Sequence, residues 1–171
     1  MEKANSKPQV TFQEAVKDGC SKFFDFNGRT RRSGFWWFIL AFFICNLILS
    51  SIWKAIFSPY VTDVANLVVY FFALAITVRR LQDRNASKFW VIVSYLSMAV
   101  YTLYLNSSGI AETLSNINTN PQAVMKISTD PVLVASGLVM MVTGLVTFVI
   151  CLLDSQPMPN KYGDSPKYTV S

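Results

Sequence analysis

The sequence of 171 residues contains no histidine. Without histidine the chain cannot form a Ser-His-Asp or Cys-His nucleophile arrangement, a histidine-based zinc motif or a histidine proton relay. The three cysteines, Cys20, Cys45 and Cys151, show no ligand spacing, so neither a disulfide nor a metal site is expected. We therefore predict no metal and no cofactor, and we assign no catalytic residue.

Charged residues are also scarce, at 15% of the chain against about 25% in an average soluble domain. Hydrophobic residues account for 52%. The net charge of +5 is too small an excess in so apolar a chain to indicate nucleic-acid binding. The length allows one domain, and the composition favours a membrane protein over a soluble one.

Four long intervals contain no Asp, Glu, Lys or Arg, namely Ser33–Trp53, Val64–Val78, Phe89–Ala111 and Pro131–Leu153. A helix needs about 20 apolar residues to cross a bilayer, so three intervals suffice alone. The second is short unless its helix begins near Pro59, and its alternative is a buried core helix. We predict an all-α integral membrane bundle of four transmembrane helices with an N-terminal amphipathic interfacial helix. The predicted spans are about 34–54, 59–78, 88–106 and 131–153.

Each tryptophan stands at an end of a predicted span. Trp36 and Trp37 begin the first span, Trp53 closes it, and Trp90 begins the third. Tryptophan favours the membrane interface, where its ring is buried and its N–H stays hydrated. We interpret these four residues as interfacial anchors.

Lysine and arginine alternate in number along the segments between the spans. The N-terminal tail holds seven, the three loops hold one, four and one, and the C-terminal tail holds two. Cytoplasmic segments carry the excess of positive charge, so both termini are expected in the cytoplasm. No cleavable signal peptide is expected, because mostly polar residues precede the first span. The predicted parts are a flexible tail (1–9), a cytoplasmic amphipathic helix with an arginine turn (10–33), a transmembrane domain (34–154) and a cytoplasmic C-terminal tail (155–171).

The segment from Thr11 to Phe26 has the pattern of an amphipathic helix. Thr11 and Glu14 fit a capping box, and phenylalanine and other apolar residues then recur at helical spacing. Two placements stay open. The helix lies in the headgroup layer with its phenylalanine face towards the lipid, or it packs on the cytoplasmic ends of the bundle.

Two arginine clusters flank the first and second spans on the same predicted side. Guanidinium groups bind phosphates in bidentate fashion, so anionic lipid headgroups are candidate ligands. The alternative is that the charges only set topology and pair locally, for instance Asp83 with Arg31 or Arg32. The lipid or phosphate-binding candidates are Arg29, Arg31, Arg32, Arg79 and Arg80, and the charge-pair candidate is Asp83.

Three ordered motifs carry a family resemblance: GRTRRSGFWWF from Gly28, VRRLQD from Val78, and NKYG from Asn160 followed by Pro166. With these motifs the chain resembles the bacterial inner-membrane family catalogued as domain of unknown function 805 (YhaH-like), over roughly 24–166. The resemblance implies a small multi-span protein of the bacterial cytoplasmic membrane with undetermined activity. That family usually has an acidic residue where Gly34 stands and a histidine where Gln82 stands. No role resting on that histidine transfers to this chain.

Three functional hypotheses follow. The first is a non-enzymatic protein that associates with membrane partners or anionic lipid through its cytoplasmic arginine clusters, as a homo-oligomer or as an accessory subunit of a membrane complex. The second is an oligomeric transporter or channel component, whose path would be lined by Asn46, Ser50, Ser94 and Ser97. The third and weakest is an enzyme acting on lipid headgroups with Asp83 as base.

Two polar segments complete the sequence-based predictions. The C-terminal segment Ser155–Ser171 is rich in proline and is expected to be irregular, folding back on the arginine clusters through Asp154 or Asp164. The segment from Asn106 to Asp130 is the longest loop on the other side of the membrane. It is expected to be disordered or to hold a short helix at about 109–117.

Overall fold

The computed structural model describes residues 4–111 and 122–170, and its architecture is a helical bundle with a small two-stranded ribbon. Its helices are α1 (Phe12–Ser21), α2 (Arg32–Ile56), α3 (Pro59–Asp83), α4 (Phe89–Ser107), α5 (Gln122–Thr129) and α6 (Pro131–Leu152). The strands are β1 (Ala4–Ser6) and β2 (Tyr168–Val170). Helices α2, α3, α4 and α6 are long and apolar enough to cross a membrane. The predicted all-α bundle of four spans is confirmed.

The second span is a full-length helix rather than a short one. It starts at Pro59 as predicted, since proline suits the first helical position, and it continues through Val78 to Asp83. The arginine cluster that was expected to follow the span is therefore part of the helix. This extension places Arg79, Arg80 and Asp83 on a regular backbone with fixed relative positions.

Side-chain caps define the starts of two other helices. The Thr11 hydroxyl accepts from the Glu14 N–H at 3.3 Å while the Thr11 N–H donates to the Glu14 carboxylate at 2.8 Å, which completes the predicted capping box of α1. At α6 the Asp130 carboxylate accepts from the N–H groups of Val132 at 2.9 Å and Leu133 at 3.1 Å. Both caps satisfy N–H groups that have no partner within the helix.

The four long helices pack as neighbouring pairs. Helix α2 contacts α3, α3 contacts α4 and α6, and α4 packs along α6. The α4–α6 approach uses two glycines: a Cβ on Gly137 would meet the Tyr101 ring at 3.6 Å, and one on Gly144 would meet the Ser94 hydroxyl at 3.6 Å. These two glycines therefore serve packing within the chain, as small residues commonly do between membrane helices.

Burial is concentrated at one end of the bundle. The last nine residues of α3, from Ala75 to Asp83, are all buried. An apolar cluster around them includes Phe38 of α2, Val91 of α4 and Cys151 of α6. By contrast, only 11% of the apolar window of α4 is buried, and 11% of that of α6. We call this packed region, where α3 and α6 end and α2 begins, the arginine end.

Helix α1 packs on α2 at the arginine end. Its buried residues are Ala15 and Gly19, and Gly19 lies directly against the buried ring of Phe38. This contact favours the second of the two placements considered for the helix, packing on the bundle. The helix ends at Ser21, earlier than the segment predicted to run to Phe26. Its position at a lipid interface stays a prediction.

The two chain ends pair with each other. Strand β1 lies antiparallel to β2, with Ala4 opposite Val170 and Ser6 opposite Tyr168. The prediction of a flexible tail over 1–9 is therefore wrong for residues 4–6, and the C-terminal segment is not wholly irregular. Strands of three residues are too short for an alternating pattern to be recognised in the sequence. The pairing places both termini at the arginine end.

The predicted helix at about 109–117 lies mostly outside the described residues. The later part of the same segment forms α5, which packs on α6. That segment is thus joined to the bundle at the end opposite the arginine end.

The glycine in α1 gives a direct test of the α1–α2 packing. A Cβ on Gly19 would lie 2.1 Å from Cδ2 and 2.8 Å from Cγ of Phe38, so the whole buried ring would have to move. We expect Gly19→Ala to destabilise the protein by about 1–3 kcal/mol through overpacking, despite the better helix propensity of alanine. Thermal unfolding in detergent would measure the loss.

The matched control for this substitution is Gly34→Ala in α2. Gly34 is also buried in a helix, but its added Cβ would meet only Val10 Cγ1 at 3.9 Å. We expect the control to leave the unfolding temperature unchanged or to raise it. Equal effects of the two substitutions would contradict the close α1–α2 contact.

Candidate functional site

The centre of the arginine end is a buried carboxylate held by two arginines. Asp83 is fully buried, and its Oδ1 accepts from Nε of Arg29 at 2.9 Å while its Oδ2 accepts from Nη1 of Arg80. The side chains of all three residues are 0–2% exposed. The suggested pairing of Asp83 with Arg31 or Arg32 is wrong. The partners come from the same two clusters but from different positions, because α3 carries Asp83 and Arg80 on one face.

Arg80 also joins the ends of three segments. Its guanidinium donates to the carbonyls of Cys151 at 3.3 Å, of Thr30 at 3.2 Å and of Leu153. Cys151 and Leu153 are at the C-terminus of α6, whereas Thr30 precedes α2. One buried side chain therefore fixes the end of the last span against the start of the first.

The carbonyls of residues 151 to 154, at the C-terminus of α6, all accept from arginines of other segments. Besides the two carbonyls bound by Arg80, the Leu152 carbonyl accepts from Arg32 at 3.2 Å and the Asp154 carbonyl accepts from Arg84 at 2.8 Å. Carbonyls at a helix C-terminus lack partners within the helix and carry partial negative charge. Cationic donors satisfy both needs.

Arg79 organises the turn between α1 and α2. Its Nη1 donates to the carbonyls of Lys22 at 2.7 Å and Asp25 at 2.5 Å, and its Nε donates to the Thr30 hydroxyl at 3.3 Å. Gln82, one turn further along α3, donates to the Phe26 carbonyl at 2.8 Å. Side chains at the end of α3 therefore hold the 22–30 segment in place through hydrogen bonds.

The C-terminal tail folds onto Arg29. The guanidinium donates to the carbonyls of Gln156 at 2.7 Å, Met158 at 3.0 Å and Gly163 at 3.1 Å. Asn160 adds a bond from its Nδ2 to the Gln82 carbonyl at 2.9 Å. The fold-back itself was predicted, but it runs through backbone carbonyls and not through an aspartate, so the predicted route is wrong.

The two aspartates expected to hold the tail have other positions. The Asp154 carboxylate pairs with Lys167 and accepts from the Tyr168 hydroxyl at 3.1 Å, while Asp164 is exposed. The hydrogen bond from Lys167 holds the pKa of Asp154 below its usual range, and the same bond raises the pKa of Lys167. Both groups are therefore charged at neutral pH, and the pair fastens the tail beside α2.

A cleft of about 570 Å³ opens beside this pair at the start of α2. Its polar side includes Arg31, Arg32 and Lys167, and its apolar side includes Trp37 and Leu40. Arg31 is buried, with Nη1 bound to the carbonyls of residues 7 and 8, and Arg32 is exposed. The cleft combines positive charge with an aromatic and aliphatic wall.

The tryptophans differ in their surroundings. Trp36 packs edge-on against Phe35 and Phe148 at ring distances of 5.1 and 5.8 Å, whereas Trp37 is 42% exposed and meets the Phe12 ring at 5.8 Å. Trp53 and Trp90 are half-buried near helix ends. All four lie where their helices begin or end, and their contact with a membrane interface stays a prediction.

The five candidate phosphate-binding arginines are not equivalent. Arg29, Arg79 and Arg80 use their guanidinium groups on carbonyls and on Asp83 inside the protein, which leaves them unavailable to a headgroup. Arg31 and Arg32 line the cleft. Sequence reasoning could not separate the two groups, because acceptors supplied by backbone carbonyls leave no mark in the sequence. It also missed Thr30, Ser33 and Lys167, which have no distinctive neighbours along the chain.

Two other sequence hypotheses can be compared with the geometry. Both Asp83 oxygens are occupied by arginines, so this carboxylate is not free to act as a base. The four polar residues proposed to line a path belong to two separate helix pairs. Asn46 and Ser50 of α2 bond to Tyr70 and Asn66 of α3 at 3.4 and 2.8 Å, whereas Ser94 of α4 faces α6.

The fold and the site define a multi-span α-helical membrane protein whose arginine motifs and C-terminal turn build one packed end. The chain belongs to the family described as Protein of unknown function (DUF805), whose model matches residues 23–164. The matched range contains the first two motifs and the NKYG part of the third, while Pro166 lies just beyond it. No curated protein and no solved structure matches the chain.

The buried carboxylate gives the sharpest test of this site. Asp83→Asn keeps the shape of the side chain but leaves two buried arginines without their counter-charge. Removing one partner of a buried ion pair costs about 3–5 kcal/mol, so we expect a large fall in thermal stability. The exposed Asp164→Asn is the control of equal chemistry and should have no effect.

A double-mutant cycle distinguishes the ion pair from a general packing defect. If Arg29 and Asp83 stabilise each other, the loss in Arg29→Gln/Asp83→Asn should be smaller than the sum of the two single losses. Additive losses, measured by unfolding in detergent, would contradict the pairing.

Proposed function

We propose that this protein acts by association within the membrane and not by catalysis, with the arginine end as its binding face. The single observation that carries the proposal is the structure of that end. It is the only region among the described residues where all of α1, α2, α3, α6 and both tails meet, and exposed cations surround its buried centre.

Hydrogen bonds from three buried arginines hold the segments of the arginine end together. Arg29, Arg79 and Arg80 together tie the 22–30 turn, the end of α6 and the C-terminal tail to α3. A binding surface that is ordered before it meets a partner loses less conformational entropy on binding. The buried arginines thus support a surface whose contacts are made by other residues.

The location we propose is a bacterial cytoplasmic membrane with both termini in the cytoplasm. The β1–β2 pairing keeps the termini at the arginine end, and this end also carries the arginine-rich turn before α2 and the loop after α3. The positive-inside rule assigns such an end to the cytoplasm. The binding partners we propose are anionic lipid, a second copy of the chain or a larger membrane complex.

The alternatives gain less support from the geometry. An enzymatic base at Asp83 conflicts with its two arginine partners, and a shared path conflicts with the division of polar residues between the α2–α3 and α4–α6 pairs. Neither a headgroup enzyme nor a transporter is favoured by a specific contact.

The orientation can be tested with single cysteines in a chain lacking Cys20, Cys45 and Cys151. Ser87 lies exposed in the loop after α3, and Ser108 lies exposed after α4 at the opposite end. In intact cells a membrane-impermeant maleimide should label Ser108→Cys and not Ser87→Cys. Labelling of position 87 from outside would overturn the proposed orientation.

Association can be tested by placing a photoreactive residue at matched positions of the two ends. Lys88 at the arginine end and Ser108 at the opposite end are both exposed. We expect irradiation of cells to give discrete cross-linked products, either with protein or with lipid, from position 88 and far fewer from position 108. Equal yields at the two positions would argue against the arginine end as the binding face.

A further inference from the structure

The cleft at the start of α2 combines the two surfaces that a phospholipid presents. Its volume of about 570 Å³ lies between the first turns of α2 and the C-terminal segment that holds Asp154 and Lys167. One side of it is charged and the other is apolar.

The charged side has donors to spare. Within the described chain, Arg31 bonds through Nη1 to two carbonyls, and Arg32 bonds through Nη1 to the Leu152 carbonyl. The remaining guanidinium nitrogens of both arginines are left for a ligand. The hydroxyl of the next residue, Ser33, also lines the cleft and is buried without a partner among the described residues. Guanidinium and hydroxyl donors together suit a phosphate oxygen.

The net charge of the cleft selects an anion. Arg31, Arg32 and Lys167 supply three positive charges, and Asp154 supplies one negative charge. That carboxylate is already engaged by Lys167 and by the Tyr168 hydroxyl. The amine of a zwitterionic headgroup would therefore find no free carboxylate, while a phosphate would find an excess of cations.

The apolar side continues from the cleft along the first span. Trp37 and Leu40 line the cleft and are 42% and 45% exposed. One and two turns further along α2, Ile44 and Leu47 are also exposed, at 49% and 52%. The spacing places these four side chains on one face of the helix, which forms a path for an acyl chain.

From these observations we propose that the cleft binds one anionic glycerophospholipid, with its phosphate between Arg32, Ser33 and Lys167 and an acyl chain along Trp37, Leu40 and Ile44. This rests on the proposed function, since it names the lipid partner of the arginine end. A free phosphate ester has the same headgroup chemistry but cannot use the apolar face. The lipid is therefore the occupant to which the geometry points.

The test titrates the purified full-length protein with phosphatidylglycerol in detergent and counts bound lipids by native mass spectrometry. Arg32→Gln should weaken the binding of one lipid about fivefold, as one lost charge near a headgroup predicts. Asp154→Asn should strengthen it by a similar factor, because it removes the opposing charge and frees Lys167. A folding defect would weaken both variants, so the opposite signs identify a site.

Lys17→Gln is the matched control, since Lys17 is exposed on α1 at the same end but does not line the cleft. We expect it to leave the bound lipid unchanged, and we expect phosphatidylcholine and glycerol 3-phosphate to compete poorly. Equal losses in Arg32→Gln and Lys17→Gln would overturn the site. Competition by glycerol 3-phosphate as effective as by the lipid would overturn the lipid as occupant.

The two proposals fail separately. If Arg32→Gln left lipid binding unchanged while position 88 still gave cross-linked products, the lipid site in the cleft would be refuted and association through the arginine end would stand. If positions 88 and 108 cross-linked equally while Arg32→Gln still weakened lipid binding, the arginine end would be refuted as a general binding face and the lipid site would stand.

Discussion

The buried ion pair of Asp83 with Arg29 and Arg80 is the constraint from which the arginine end is built. An isolated carboxylate in such a position would be strongly disfavoured, and each arginine would be as costly alone. Together they neutralise part of the charge, and the remaining N–H groups must find acceptors. The acceptors nearby are backbone carbonyls, so several backbone segments pack around the two arginines. Through this requirement the 22–30 turn, the end of α6 and the tail all become fixed to the last turns of α3.

The same requirement explains why three motifs far apart in the chain work as one unit. The first motif supplies Arg29, the second supplies Arg80 and Asp83, and the third supplies the Asn160 turn that contacts both through Gln82 and Arg29. Gln82 illustrates what the unit requires, since it holds the Phe26 carbonyl through a neutral N–H donor. The contact therefore points to a positioning role at this place rather than to proton transfer.

The sequence predicted the helices far better than the contacts between them. Long intervals without charge mark spans whatever their neighbours are, and Pro59 and Thr11 mark helix starts through local chemistry. The sequence did not predict which arginines are buried. Arg80 and Arg32 read alike in the sequence, yet one is buried against Asp83 and the other lines an open cleft, because the difference arises from where α6 ends in space. The β1–β2 pairing was missed for the same reason, since each strand is stabilised only by the other chain end.

The arginines form two groups, one buried in the protein and one at the cleft. The sequence could not separate the structural role of the first group from the binding role proposed for the second. Arginines committed to carbonyls gain nothing from a headgroup and would leave buried acceptors unsatisfied if they turned outwards. Arg31 and Arg32 lie between the protein interior and the cleft. Each donates to the backbone through one nitrogen only, and its other nitrogens are left at the cleft. In a bilayer the headgroups would lie beside these two arginines, and the acyl chains would lie along the apolar face of α2 that begins with the exposed Trp37 and Leu40. The interior arginines thus set the shape of a surface on which the remaining cations are free to act.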